Sequence, residues 1–223
     1  MASPIPMTKG ALSTEQEQIR SLIQLNDTIQ KINAVLDLDS VVQRITDEVG
    51  TLLGCVETAV WMRDARTNEM VLSSVRGCSV NKKGARLRIG EQGMVGHVAF
   101  TGRTRYAPDV RRDPFYMRCE AGTLSEIDIP LIHNGEVVGV FTAECSDLDG
   151  FSPEKRELLE RLAGHMATAI HNAHSYTKRR NESEEARQIQ MSLFPKSTPI
   201  AEHFRIDGLC VPAGDVGGDW YDY

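Results

Sequence analysis

Leucine and isoleucine recur at spacings of three and four near the start of this chain. Leu22, Leu25, Ile29, Ile32 and Leu36 fall on one stripe with polar residues between them, which predicts an amphipathic helix over Thr14–Leu36. Thr14 with Glu17 three residues on makes a capping box at its start. A second helix follows, capped by Asp39 or Ser40, with Val41, Val42, Ile45, Val49 and Leu52 on its inner face and Gly54 as its stop. The period then shortens to two. Val56, Thr58, Val60 and Met62 share one side of a strand over Cys55–Met62, and Met70–Val75 reads as its partner. A polar loop over Gly77–Gly84 leads to a short strand at Arg86–Ile89, a short helix at Met94–Phe100, a strand at Arg103–Ala107 and an irregular loop at Pro108–Arg118. Ile127, Ile129 and Leu131 alternate into Asn134-Gly135, a strong turn dipeptide, and Val137–Cys145 returns as a largely apolar strand. Ser152-Pro153-Glu154 opens a long helix. Its seam of Leu159, Leu162, Met166, Ala169, Ala173 and Tyr176 turns polar at Arg180, Ser183, Arg187 and Gln190 before Pro195 ends it. This order predicts an α+β domain on one antiparallel sheet.

Composition narrows the classes. At 223 residues the chain holds one full domain and the start of another, with 41% hydrophobic and 25% charged residues. A net charge of −6 gives no positive field for nucleic acid or anionic lipid. Lys178, Arg179 and Arg180 are followed by Glu182, Glu184 and Glu185, the pattern of a solvated helix face. No apolar run approaches the ~20 residues of a membrane span, and Met1–Gly10 lacks the apolar core of a signal peptide. A cytoplasmic protein is expected. Five cysteines without a CxxC pair read as free thiols in a reducing compartment.

Beyond these patterns, the chain resembles the GAF family from Asp39 to Tyr176. The residues that carry the likeness are Gly90-Glu91-Gln92-Gly93-Met94-Val95-Gly96-His97-Val98-Ala99 with Thr101-Gly102, then Pro108-Asp109-Val110, Asp113-Pro114 and Tyr116. Ser125-Glu126, Ile129-Pro130-Leu131, Gly135, Val138-Gly139-Val140 and Phe151-Ser152-Pro153-Glu154 complete it. The resemblance implies a GAF fold: a six-stranded antiparallel sheet flanked by helices, a ligand pocket on the other face, and long N- and C-terminal helices forming a dimeric bundle. A second resemblance begins in the exit helix. Ala186, Ile189-Gln190, Leu193-Phe194-Pro195, Pro212-Ala213 and Val216-Gly217-Gly218-Asp219-Trp220-Tyr221-Asp222 look like the opening of a SpoIIE-type serine phosphatase of the metal-dependent superfamily. It implies Mn or Mg as cofactor, Asp219 as a metal ligand with Asp222 beside it, and a phosphorylated anti-anti-sigma-type protein as substrate in bacterial stress signalling. The family's later carboxylates do not follow, so the chain reads as a truncated piece of a longer protein. Two metal ions about 3.5–4 Å apart need several carboxylates, and no complete catalytic set is expected here.

The candidate chemistry of the GAF pocket is open. Trp61 could stack on a ligand, and His97 on the short helix could ligate haem or hydrogen-bond a ligand; residues of these types in such places are more often packing residues. Asp109 and Arg111 lie in a loop that could take an anionic metabolite or stand solvated, with Arg112 and Tyr116 beside them. Asn81-Lys82 and Phe100 begin a cyclic-nucleotide signature that fails at Thr104-Arg105, and Cys119 lacks the histidine that follows a bilin cysteine. Cys78 and Cys119 sit beside charges that can lower a thiol pKa, which leaves a redox sensor or a GAF-type methionine sulfoxide reductase open, although paired-cysteine motifs are missing.

Taken together, residues 1–13 are expected to be disordered, 14–38 a signalling helix, 39–177 the GAF domain, 178–195 a helical linker and 196–223 the phosphatase start. The expected function is a regulatory module that transmits a pocket signal to a serine/threonine phosphatase. A ligandless dimerisation scaffold and a cysteine-based redox protein are the alternatives. The GAF domain is expected to need no cofactor, and nucleic acid and membrane are not expected as partners. A homodimer is expected to form through Leu22, Leu25, Ile29, Ile32, Leu36, Leu159, Leu162, Met166, Ala169 and Ala173, a stripe that would otherwise be an exposed apolar patch.

Overall fold

The first helix, α1, spans residues 23–33 in a computed structural model of the chain, which describes residues 23–78, 82–118, 122–196, 203, 208–212 and 214–222. The helix stops short of the predicted end. Residues 35–37 leave the helix because Asp37 takes extended backbone (φ −82, ψ 129) to cap α2, Leu38–Leu53, with its carboxylate accepting from the Ser40 N–H at 3.0 Å. The cap is therefore Asp37 rather than Asp39 or Ser40, and Leu36 falls off the stripe, 54% exposed. Gly54 closes α2 in the left-handed region at φ 65, as expected of a helix stop.

The strands are β1 Glu57–Asp64, β2 Glu69–Arg76, β3 Arg86–Arg88, β4 Arg105–Ala107, β5 Ser125–His133 and β6 Glu136–Cys145. They form one six-stranded sheet in the order β3-β2-β1-β6-β5-β4, every pair antiparallel. Asn134 and Gly135 join β5 to β6 with φ 50 and 83, the positive values that a two-residue hairpin turn requires. Helix α3, Gly93–Thr101, lies between β3 and β4 in sequence, and α4 runs Pro153–Leu193.

Alternation assigns the two faces. Val60 of β1, Ile127, Ile129 and Leu131 of β5, and Phe141 and Ala143 of β6 pack with Val41, Val42, Ile45 and Val49 of α2. Leu159, Leu162, Met166, Ala169 and Ala173 of α4 and Ile32 of α1 are buried in the same core, with Leu25 and Ile29 partly buried against it. The stripe expected to stand exposed is thus largely covered within one chain, and Leu22 lies outside the described residues. On the other face, Ala59, Trp61, Met70, Leu72 and Val140 meet Val95, Val98 and Ala99 of α3. A Cβ at Gly96 would stand 2.6 Å from the Arg88 carbonyl oxygen, so glycine there lets α3 sit directly against β3.

The chain divides after Ala173 into two units. Within the second, residues 174–223, the Gln190 carboxamide grips one peptide: it donates to the Gly217 carbonyl at 2.6 Å and accepts from the Gly217 N–H at 2.9 Å. Phe194 and Tyr221 stack with ring centroids 5.0 Å apart. Among the described residues no helix is long and apolar enough to cross a membrane.

Candidate ligand-binding site

The sheet face under α3 carries acid where a core would carry leucine. Glu57 of β1, Glu144 of β6 and Glu126 of β5 occupy directly paired register positions and are only 3%, 3% and 6% exposed. One row along, Ala59, Thr142 and Asp128 are paired in the same way, with Thr142 4% and Asp128 0% exposed. Alternation produces this arrangement: Ile127, Ile129 and Leu131 point into the helix-side core, so Glu126 and Asp128 between them point the other way. A cavity of about 100 Å³ lies among Glu57, Glu126, Thr142 and Glu144, walled by Trp61, Leu87, Met94 and Val95 and rimmed by Met117 and Arg118.

Like charges directly opposite each other on neighbouring strands repel, and burial removes the water that would screen them. Burial raises the Glu126 pKa well above the ordinary carboxylate range, and the charges of Asp128, Glu144 and Glu57 raise it further. Asp128 is also raised, again mainly by burial. The Thr123 hydroxyl donates to the Glu144 carboxylate. Neither Asp128 oxygen nor the Thr142 hydroxyl has a hydrogen-bond partner of normal geometry, although these groups and Glu126 lie close enough to perturb one another. Arg105 stands opposite Asp128 in register, yet its guanidinium is committed to Asp113, with Nη2 to Oδ2 at 2.8 Å.

The expected site residues separate. Trp61 lines the cavity. His97 stacks on Phe115 at 4.1 Å between centroids, with the Arg105 guanidinium 4.5 Å from the Phe115 ring, so this group pins the loop to α3 and β4. Tyr116 packs against Met94, Ala107 and Val110. Asp109 caps the 3₁₀ turn Val110–Arg112 and pairs with Arg111 at 2.7 Å and Arg112 at 3.5 Å; the Arg111 hydrogen bond holds its carboxyl below the usual range. That loop charge is neutralised locally, away from the cavity lining. Cys119 lies outside the described residues. Cys55 is buried, and desolvation pushes its thiol up to about 12, which makes it a poor nucleophile. In the second unit Asp219 and Asp222 are exposed. Among the described residues no group of three or more His, Cys, Asp or Glu is arranged to hold a metal.

Sequence reasoning missed Glu57, Glu126, Asp128, Thr142 and Glu144 as site residues. The available signal was the polar half of the alternation in the central strands, set beside a short helix that is apolar on nearly every side.

A family model described as GAF domain matches residues 35–171. The chain belongs to the GAF family. The GAF domain is a sensory and regulatory module, and relatives of this one include an enzyme: over 73 residues it is 40% identical to the free methionine-R-sulfoxide reductase of Saccharomyces cerevisiae, a match covering 32% of this chain and 41% of that protein. The chain thus spans less than half of this curated relative's length. The GAF domain of the Acinetobacter phosphoenolpyruvate-protein phosphotransferase superposes with TM-score 0.64 at 20% identity, covering 70% of this chain and 95% of that one. The free methionine-R-sulfoxide reductase of Neisseria meningitidis, in complex with its substrate, gives 0.63 at 21% identity, covering 79% and 98%. These likenesses establish the fold.

Proposed function

We propose that this GAF domain senses a small molecule carrying an ammonium-type cation and relays its occupancy along the exit helix to a SpoIIE-type serine/threonine phosphatase. The observation that supports the sensor reading is the buried glutamate row, in which three carboxylates paired across neighbouring strands line one cavity, a concentration of acid that favours a cationic ligand. The phosphatase reading rests on the resemblance of residues 186–222, with Mn or Mg and the remaining carboxylates supplied by further chain, a phosphorylated anti-anti-sigma-type protein as substrate, and a homodimer as the working assembly.

The test is calorimetric titration of the full chain with free amino acids and primary amines, each beside its desamino counterpart. An amine that binds where its desamino counterpart does not, and that Glu126→Gln no longer binds, supports the reading. Equal binding of both counterparts refutes it. In a chain carrying the whole phosphatase, Asp219→Asn is expected to remove turnover while the GAF domain stays folded.

A second reading is favoured by the 40% identity to the yeast enzyme: reduction of free methionine-R-sulfoxide, itself an ammonium-bearing molecule, by the loop thiols Cys78 and Cys119. Thiol-dependent turnover of that substrate by the chain selects the enzyme; binding without turnover selects the sensor.

A further inference from the structure

We propose that Cys55 and Cys145 form a redox site, in which a hydroperoxide oxidises the two thiols to a disulfide close to the start of the exit helix. Both cysteines belong to the helix-side core, so the site is separate from the acidic cavity and uses neither Cys78 nor Cys119.

The fold brings the two cysteines to one end of the sheet. Gly54 ends α2 in a left-handed turn, and Cys55 follows at that corner with its N–H donating to the Gly50 carbonyl at 3.1 Å. Cys145 is the last residue of β6. Between them the backbones are bonded: the Val56 N–H donates to the Glu144 carbonyl at 3.0 Å, and each cysteine stands one residue beyond that bond. Neighbouring strands lie about 4.7–4.9 Å apart, inside the range of about 4.4–6.8 Å that a disulfide spans between Cα atoms. Cys55 is buried in the helix-side core, and Cys145 packs against the same core while keeping part of its surface in solvent. Gly150, just ahead of α4, touches the second sulfur: a Cβ there would stand 2.5 Å from Cys145 Sγ, so glycine makes room for it. Lys155 of α4 donates to the Gly150 carbonyl at 3.4 Å, and its charge reaches Cys55, as does that of Cys145. Both sulfurs therefore share one neighbourhood.

Exposure sets the order of events. Burial pushes the Cys55 thiol up to about 12, which closes it to reagents in solution. Cys145 meets solvent, its thiol donating to the Asp147 carboxylate at 3.9 Å. The Cys145 thiolate attacks one peroxide oxygen: an S–O bond forms, the O–O bond breaks, and hydroxide leaves and takes up a proton. The Cys55 sulfur then attacks the sulfur of the Cys145 sulfenic acid. An S–S bond forms, the S–O bond breaks, and the departing hydroxide carries off the Cys55 proton as water, so no Cys55 thiolate has to accumulate beforehand. Two thiols and one hydrogen peroxide become one disulfide and two waters, with two electrons passing from sulfur to the O–O bond. The product ties the corner after α2 to the end of β6, where the chain leaves the sheet for α4.

The test exposes the full reduced chain to hydrogen peroxide, blocks the remaining thiols with N-ethylmaleimide under denaturing conditions, and maps the unreduced peptides by mass spectrometry. The expected product is one linked pair containing Cys55 and Cys145, lighter by two hydrogens than the separate peptides and split again by dithiothreitol. Before oxidation, N-ethylmaleimide is expected to label Cys145 of the folded chain more than about tenfold faster than Cys55. In Cys55→Ser the reaction should stop at a Cys145 sulfenic acid that dimedone traps, and in Cys145→Ser the Cys55 thiol should survive the same exposure. If either variant fails to fold, the wild-type map still decides. Three results overturn the site: linkage of Cys55 or Cys145 to any other cysteine, advance of Cys145 to the sulfinic acid while Cys55 remains a thiol, or survival of both thiols.

Discussion

The two faces of this sheet are cut from the same strands and have opposite energetics. On the helix side, Ile127, Ile129, Leu131 and Phe141 meet α2 and α4 in a continuous apolar core in which the burial of each large side chain contributes about 1.5–3 kcal/mol. One residue along in β5, Glu126 and Asp128 are as deeply buried and burial works against them, since their charged forms lose water. The helix-side face is apolar throughout, whereas the other sets these carboxylates beside the apolar cluster of Trp61, Met70, Leu72 and Val98 under α3.

Mutations on the two faces should break this comparison in opposite directions. The largest effect is expected from Phe141→Ala, which empties a fully buried site on the helix side and should lower stability by about 3–5 kcal/mol in denaturant unfolding. A loss below 1 kcal/mol by that measurement would mean the helix face is not the stabilising one. Next is Gly96→Ala, where the new methyl meets the Arg88 carbonyl and forces α3 off β3, for a loss of about 1–3 kcal/mol and a weaker response to any ligand. On the acidic face the sign reverses. Asp128→Asn should stabilise the free protein by about 1–2 kcal/mol at about pH 8 and by little at about pH 5, where the native carboxyls already hold protons. Destabilisation at the higher pH would show that Asp128 is a satisfied structural group.

Legibility in the sequence followed the same division. The helix-side face was readable because apolar residues at period two and at spacings of three and four have one meaning when a core is near, and Asn134-Gly135 fixed the hairpin that pairs β5 with β6. The acidic face was not, because Glu126 and Asp128 between isoleucines look the same whether they face solvent or a cavity. What distinguishes the cases is α3, whose Met94, Val95, Val98 and Ala99 are buried around much of its circumference and so must lie over something. His97 and Tyr116 were read from the sequence as pocket candidates, and in the structure their rings pack against Phe115 and against Met94, Ala107 and Val110. The terminal stripe was read as exposed in a single chain because its length was set against one sheet face, and in the structure Ile32 of α1 is buried in the same core as α4, with Leu25 and Ile29 partly buried against it.

The smallest effects test the rim of the helix-side face, where the sequence left the start of α2 undecided between neighbouring polar residues. Asp37 accepts from both the Ser40 N–H at 3.0 Å and the Ser40 hydroxyl at 2.9 Å, so it satisfies a backbone donor that the helix itself cannot. Asp39 instead meets Lys83 at 2.8 Å with both side chains largely exposed, where water screens the pair. Asp37→Ala is expected to lower stability by about 1 kcal/mol, and Asp39→Ala by less than about 0.5 kcal/mol. Salt separates them further: raising ionic strength should erase the Asp39 effect and leave most of the Asp37 effect, because a short hydrogen bond to a backbone N–H is screened far less than an exposed ion pair. Equal losses in urea unfolding at low and high salt would mean that α2 begins at Asp39. Its first turn, and the extended link that lets α1 fold back onto the core, would then be wrongly placed.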